Sequence, residues 1–191
     1  MAKHWIALVA IPGAGKGHLV KTVKTGYPHL KVTTTRYSDP LREILVNILG
    51  VEMTRKNLQA IGEALRNAFK DDGLLSRTLK KRMEEIDADI VFLDGLRKPG
   101  EAEVVKQLGG KLVFISASPE QRYRNRKRDP DNVGEDEMTW EEFQQRDRDP
   151  AEATIQHVGE TMADVVIENN GTEQFDKKIG KFIDELCPKL I

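Results

Sequence analysis

An apolar run, Trp5-Ile6-Ala7-Leu8-Val9, passes directly into Ala10-Ile11-Pro12-Gly13-Ala14-Gly15-Lys16-Gly17-His18. A strand that empties into a glycine-rich turn and then into a helix constrains the fold more than any other feature of the chain. Glycines at 13, 15 and 17 let the backbone turn its N–H groups inward around an anion, Lys16 adds a positive charge, and the following helix offers its N-terminus. The segment therefore reads as a phosphate-cradling loop, with Gly13, Ala14, Gly15, Lys16, Gly17 and His18 within reach of a polyphosphate. It departs twice from the pattern G-x-x-x-x-G-K-[ST]: Ala10 stands where glycine is expected, and Gly17 where a hydroxyl is expected.

Short apolar runs at 5–11, 31–36, 90–93, 111–116 and 164–168 read as strands, and amphipathic stretches separate most of them. Such alternation predicts an α/β fold of three layers, a five-stranded parallel sheet covered by helices on both faces, with ligands beyond the carboxyl ends of the strands. The glycine loop, Asp94 and Asn169 all fall just after strands. About 50 residues of helical pattern, broken near Gly50 and Gly73, lie between the second and third strands, more than one crossover helix needs. Residues 38–88 therefore read as an inserted helical region that could bind a second substrate. The acidic, turn-rich segment 129–137 reads as a mobile loop, and 128–146 as a short lid.

Asp94 ends the run Ile90-Val91-Phe92-Leu93, which puts its carboxylate at the sheet edge near the loop, where a magnesium ion or its water shell could sit; a turn-forming aspartate before Gly95 is the alternative. Arg42, on a helix opened by Ser38-Asp39-Pro40, and Arg97, just past Asp94, could each bind a phosphate through the rigid guanidinium fork. Arg122 and Arg126 share one helical face and repel each other unless an anion lies between them. Thr139-Trp140-Glu141-Glu142 reads as a capping box opening a helix that carries Arg146, Asp147, Arg148 and Asp149. With a lid before it, Arg146 and Arg148 could swing over the phosphates. Asn169-Asn170-Gly171 could touch a base or form a plain turn.

The charge balance, 30 Lys+Arg against 31 Asp+Glu, gives no basic excess for a nucleic-acid partner. Cys187 is the single cysteine, so no internal disulfide can form, and cytoplasmic residence is expected. No apolar run approaches the ~20 residues of a membrane span, and the first run enters the glycine loop instead of a cleavage site. His4, His18, His29 and His157 show no metal-ligand spacing, and no covalent nucleophile is legible.

Taken together, these residues resemble the adenylate kinase and nucleoside monophosphate kinase superfamily, over most of the chain. Its loop commonly reads G-x-P-G-x-G-K-G-T, which Pro12-Gly13-Ala14-Gly15-Lys16-Gly17 matches, so that Gly17 is regular for this branch while Ala10 and His18 depart from it. The acceptor-side element resembles Ser38-Asp39-Pro40-Leu41-Arg42, and an L-D-G-F-P-R element resembles Leu93-Asp94-Gly95-Leu96-Arg97 with one residue fewer. The resemblance implies that Ser38, Arg42 and Arg97 hold an acceptor phosphate and that Asp94 is the magnesium-side carboxylate. The lid pattern resembles Glu135-Asp136, Thr139-Trp140-Glu141 and Arg146-Asp147-Arg148-Asp149, which makes Arg146 a phosphate clamp. A second lid arginine would fall near His157, so that contact is missing or comes from Arg148. Lys16, Arg122, Arg126 and Arg146 are then the catalytic cations, and Asn169, Asn170 and Gly171 the adenine-side loop. The details look closest to a kinase-like branch related to dephospho-coenzyme A and deoxynucleotide kinases. The implied activity is transfer from ATP, with Mg²⁺, to a nucleoside or deoxynucleoside monophosphate. The alternatives are dephospho-coenzyme A or another small phosphorylated metabolite as acceptor, and a nucleotide-binding regulator without turnover. The last is motivated by His18, because imidazole is a poor ligand for magnesium.

Overall fold

The computed structural model describes residues 4–70, 74–128 and 137–188. Five strands, β1 (His4–Val9), β2 (Val32–Arg36), β3 (Ile90–Asp94), β4 (Lys111–Ser116) and β5 (Val165–Glu168), form one sheet in the order β2-β3-β1-β4-β5 with every pairing parallel. The expected strands are all present. β1 stops at Val9 instead of Ile11 because the Ala14 amide donates to the Ile11 carbonyl, which closes the glycine turn early.

Parallel neighbours need helical crossovers, and these cover both faces of the sheet. Alternation along the strands sends Ile6, Leu8, Phe92, Val113 and Ile115 to one side, against Leu19 and Val23 of α1 (Lys16–Gly26) and Phe175, Ile179 and Ile183 of α9 (Thr172–Leu186). Ala7, Val9, Leu93, Leu112 and Phe114 face the other side. There they meet Leu41 of α2 (Asp39–Glu43), Leu75 and Leu79 of α4 (Leu74–Glu85), Ala102 and Val105 of α5 (Pro99–Gln107), and Ile155 and Val158 of α8 (Pro150–Met162). The chain is thus a three-layer α/β fold.

The inserted region is helical, as expected. α2 runs into a π-helical turn, Ile44–Ile48, and the chain then breaks at Gly50, whose φ of 62° stops the helix. It restarts as α3 (Arg55–Phe69), capped by the Thr54 hydroxyl, which accepts from the Asn57 amide. The second expected break, Gly73, lies outside the described residues, as does the segment 129–136 that holds the lid's Glu135 and Asp136. Beyond it the capping box is present: the Glu142 amide donates to Thr139 Oγ1, and the Thr139 amide to the Glu142 carboxylate. The helix it opens, α7 (Trp140–Asp147), is shorter than expected. Arg148 caps it, the Asp149 amide closes on the Arg146 carbonyl, and Pro150 starts α8 with no N–H to lose. Among the described residues no helix is long and apolar enough to cross a membrane.

Candidate active site

The strand order reverses on either side of β1, so the loops after β1 and β3 open side by side at the carboxyl edge of the sheet, where ligands bind in such folds. The β1 loop has left-handed backbone at Gly13 (φ 84°) and Gly15 (φ 113°). Both sites also exclude a side chain: a Cβ on Gly13 would stand 2.5 Å from the Arg122 carbonyl oxygen, and one on Gly15 would stand 2.7 Å from Asn169 Nδ2. Ala10 needs no such backbone, because Lys70 is the one non-glycine at positive φ among the described residues. Its departure from the motif therefore imposes no strain.

Two asparagines brace the loop from outside. Asn125, on α6 (Pro119–Arg128), donates to the Gly13 carbonyl at 2.7 Å, and the buried Asn169 donates to the Ala14 carbonyl at 2.9 Å. Asn169 also accepts the Gly171 amide, and Asn170 binds the Glu168 carboxylate. The Asn169 amide, expected to face a base, instead holds the phosphate loop.

Inside the loop, Lys16 Nζ donates to the Ala10 carbonyl at 3.1 Å and lies 3.9 Å from Asp94 Oδ1. Asp94 ends β3, and the Gly95 amide fixes its carboxylate. Among the described residues no group of three or more acidic, His or Cys side chains converges as a metal site. One carboxylate still suits Mg²⁺, which takes most of its ligands from phosphate oxygens and water. His18 turns the other way: its Nε2 is 2.6 Å from Asp176 Oδ1 on α9, Thr22 donates to the same oxygen, and the ring stacks on Phe175.

Asp94 also lines a cleft of about 510 Å³ that opens between the sheet edge and the inserted helices. Of the residues expected to meet an acceptor, Ser38, Arg42 and Arg97 all line it. The Arg42 guanidinium is held by Ser38 Oγ at 3.3 Å and reaches the Met53 sulfur. Arg36, Arg66 and Lys98 add three further cations to the same walls, which sequence reasoning missed. Arg36 was within reach of it, because it ends β2 in register with Asp94 at the ligand-binding edge. Arg66 carried no motif. Glu101, buried at the start of α5, accepts the Arg97 and Lys98 amides and so sets the bend that presents Arg97; its burial pushes the carboxyl above the ordinary carboxylate value.

The arginines of α6 and α7 are placed differently from one another. Arg122 is buried, its guanidinium grips the Asp147 carboxylate with two nitrogens, and its Nε donates to the Ala117 carbonyl at 3.3 Å. This arginine, expected to act on phosphate, ties α6 to α7. Arg126 lays its stem on the loop, since its Cγ would be 2.9 Å from a Cβ on Gly13. Arg146 stands in the last turn of α7, beside Asp147.

No family model matches the chain. It is 30% identical to a UPF0200 protein of Pyrococcus horikoshii, covering 95% of this chain and 96% of that one, and 33% identical to a UPF0200 protein of Hyperthermus butylicus over 76% and 75%. Among solved structures it resembles the shikimate kinase of Bacteroides thetaiotaomicron (TM-score 0.55, 15% identity, 96% and 98% of the two chains) and a sugar kinase of Janibacter (TM-score 0.52, 12% identity, 100% and 98%). These structural likenesses show the three-layer fold alone, while the sequence relatives decide the family: the chain belongs to the UPF0200 family.

Proposed function

We propose that the protein binds ATP on the 10–18 loop and transfers its γ-phosphoryl to a phosphate of a nucleotide acceptor seated in the arginine-lined cleft. The acceptor class is a nucleoside or deoxynucleoside monophosphate or a similar phosphorylated metabolite. The observation that carries this reading is the position of Asp94, which lines the cleft and lies 3.9 Å from Lys16 Nζ, so that donor loop and cleft meet at one carboxylate.

The loop N–H groups and Lys16 would hold the donor phosphates. Bound Mg²⁺ would supply charge neutralisation across the donor phosphate oxygens, and Asp94 is the carboxylate suited to hold it directly or through water. Arg42 and Arg97 would orient the acceptor phosphate so that one of its oxygens attacks the γ-phosphorus as ADP leaves, with Arg126 and Arg146 supplying further positive charge to the transferring group. No protein nucleophile is needed, because positioning and electrostatics carry most of phosphoryl transfer.

The test is incubation with Mg·ATP and a panel of ribo- and deoxynucleoside monophosphates plus dephospho-coenzyme A, with products identified by mass. One acceptor should be phosphorylated, and Lys16→Ala should reduce the rate by about 100-fold or more, as loss of a charge in direct contact with the moving phosphoryl does. Turnover within a few fold in that variant would remove the donor-site assignment. His18 favours a second reading, a nucleotide-binding regulator, because an imidazole tied to Asp176 stands where the kinase loop carries a hydroxyl. That reading expects ADP binding and no product from any acceptor.

A further inference from the structure

The cleft holds more positive charge than one acceptor phosphate needs. A phosphate monoester is satisfied by two guanidinium forks, and Arg42 and Arg97 provide them. Arg36, Arg66 and Lys98 then stand over, and of these Arg66 comes from a different wall, the inserted helix α3. Arg66 is half-buried, and among the described residues no carboxylate stands within salt-bridge distance of it. The charge of Arg66 acts on the buried Glu101, whose carboxylate is turned to two backbone amides. A partly desolvated cation left in this state favours an anionic ligand.

The sequence makes room for it. Gly62 interrupts the interior of α3, where glycine is a poorer helix former than alanine. A Cβ there would stand 3.0 Å from Leu41 Cδ1 and 3.4 Å from Arg66 Nη2. The missing side chain lets α3 close on α2 and lets the Arg66 head lie against its own helix, beside the residue that precedes Arg42. The lining offers little to a base: Tyr37 is its one aromatic residue among those described, and only 3% of it is exposed.

We infer that the acceptor carries a second anionic group, a phosphate or a carboxylate, which Arg66 receives while Arg42 and Arg97 hold the phosphate that is phosphorylated. This rests on the kinase reading above and narrows its substrate class to bis-anionic nucleotides or metabolites.

Two matched pairs distinguish the sources of the second charge: adenosine 5′-monophosphate against adenosine 3′,5′-bisphosphate, and uridine 5′-monophosphate against orotidine 5′-monophosphate, which adds a carboxylate. Affinities are measured by calorimetry with and without Mg·ADP, so that the result does not depend on turnover, and transfer from ATP is scored separately. In at least one pair the bis-anionic member should bind tenfold or more tightly than its partner. Arg66→Met, which keeps the stem, should collapse that preference to about one, and Arg66→Lys should restore part of it. Equal affinities within both pairs would overturn the inference, as would a loss in Arg66→Met that is the same for both members of a pair. Failure of the kinase reading shows instead as absence of Lys16-dependent product.

Discussion

Asn125 donates its side-chain amide to the carbonyl of Gly13 at 2.7 Å, across 112 residues of sequence. Asn169 does the same for the next carbonyl, Ala14, at 2.9 Å. The Ala14 carbonyl shares its planar trans peptide with the Gly15 N–H, so drawing that carbonyl outward turns the Gly15 N–H toward the loop interior, where an anion can accept it, while the Ala14 N–H closes on the Ile11 carbonyl. Asn169→Leu leaves a buried carbonyl without a partner and should cost about 1–3 kcal/mol of stability, while the partly exposed Asn125→Leu should cost about 1 kcal/mol. Both should also weaken Mg·ADP binding beyond what their melting temperatures explain. A stability loss with unchanged ADP affinity would show that the amides brace the fold and leave the loop's anion geometry alone.

Arg122 and Asp147 form a pair in which the arginine is 6% and the aspartate 23% exposed at the side chain. Breaking such a pair leaves one charge uncompensated, so Arg122→Met should destabilise by about 3–5 kcal/mol. Replacing both partners, Arg122→Met with Asp147→Leu, should recover most of that loss. If the pair is a tether, phosphoryl transfer in the double variant stays within about tenfold of the starting protein. A double variant that melts normally yet loses about 100-fold or more in rate would return Arg122 to the reacting phosphate.

The sheet and the glycine loop were legible because their physics is local. Strands buried on both faces read as short apolar runs, and the loop needs left-handed backbone that Gly13 and Gly15 supply. Asp94, Arg42 and Arg97 were legible because each lies within a few residues of a strand end or helix start. What escaped was settled by distant partners. The repulsion between Arg122 and Arg126 did call for an anion, but Asp147, 25 residues on, supplies it to Arg122 from within the chain. His18 looked like a failed metal ligand and is instead engaged by Asp176, 158 residues away. Arg66 enters the cleft through the packing of α3 on Leu41, which no spacing in the sequence records.

With Gly17 and His18 after Lys16 the loop has no hydroxyl beside the lysine, and Gly17→Ser tests whether adding one there improves the site. A Cβ there has nothing within 4 Å, and the backbone is not left-handed, so Gly17→Ser fits without strain. Serine is also the better helix former in this first turn of α1, by about 0.5 kcal/mol. The melting temperature should hold or rise slightly, and, on the kinase reading proposed above, transfer at limiting Mg²⁺ should increase several-fold as the hydroxyl adds an oxygen ligand beside Asp94. Weaker Mg·ADP binding in the variant would mean that residue 17 must remain bare for the phosphates to approach.

Asp164, the residue before β5, gives a pH dependence with a defined sign. Burial alone would raise its pKa. The Leu112 amide, which donates to it at 2.8 Å, and the Lys106 ammonium at 2.9 Å outweigh burial and hold the carboxyl below its ordinary value. A carboxyl depressed in the folded state stabilises the protein above its unfolded pKa of about 3.9, and that contribution disappears as pH falls through the folded value. Asp164→Asn removes the ion pair and the charge assistance of the amide bond. Because the side chain is 34% exposed, solvent screening limits the loss near neutral pH to about 0.5–1 kcal/mol. Denaturant midpoints of the two proteins should therefore differ at pH 7 and converge as pH falls through the depressed folded value. A difference that persists unchanged into acid would mean that Asp164 acts through packing and not through its charge.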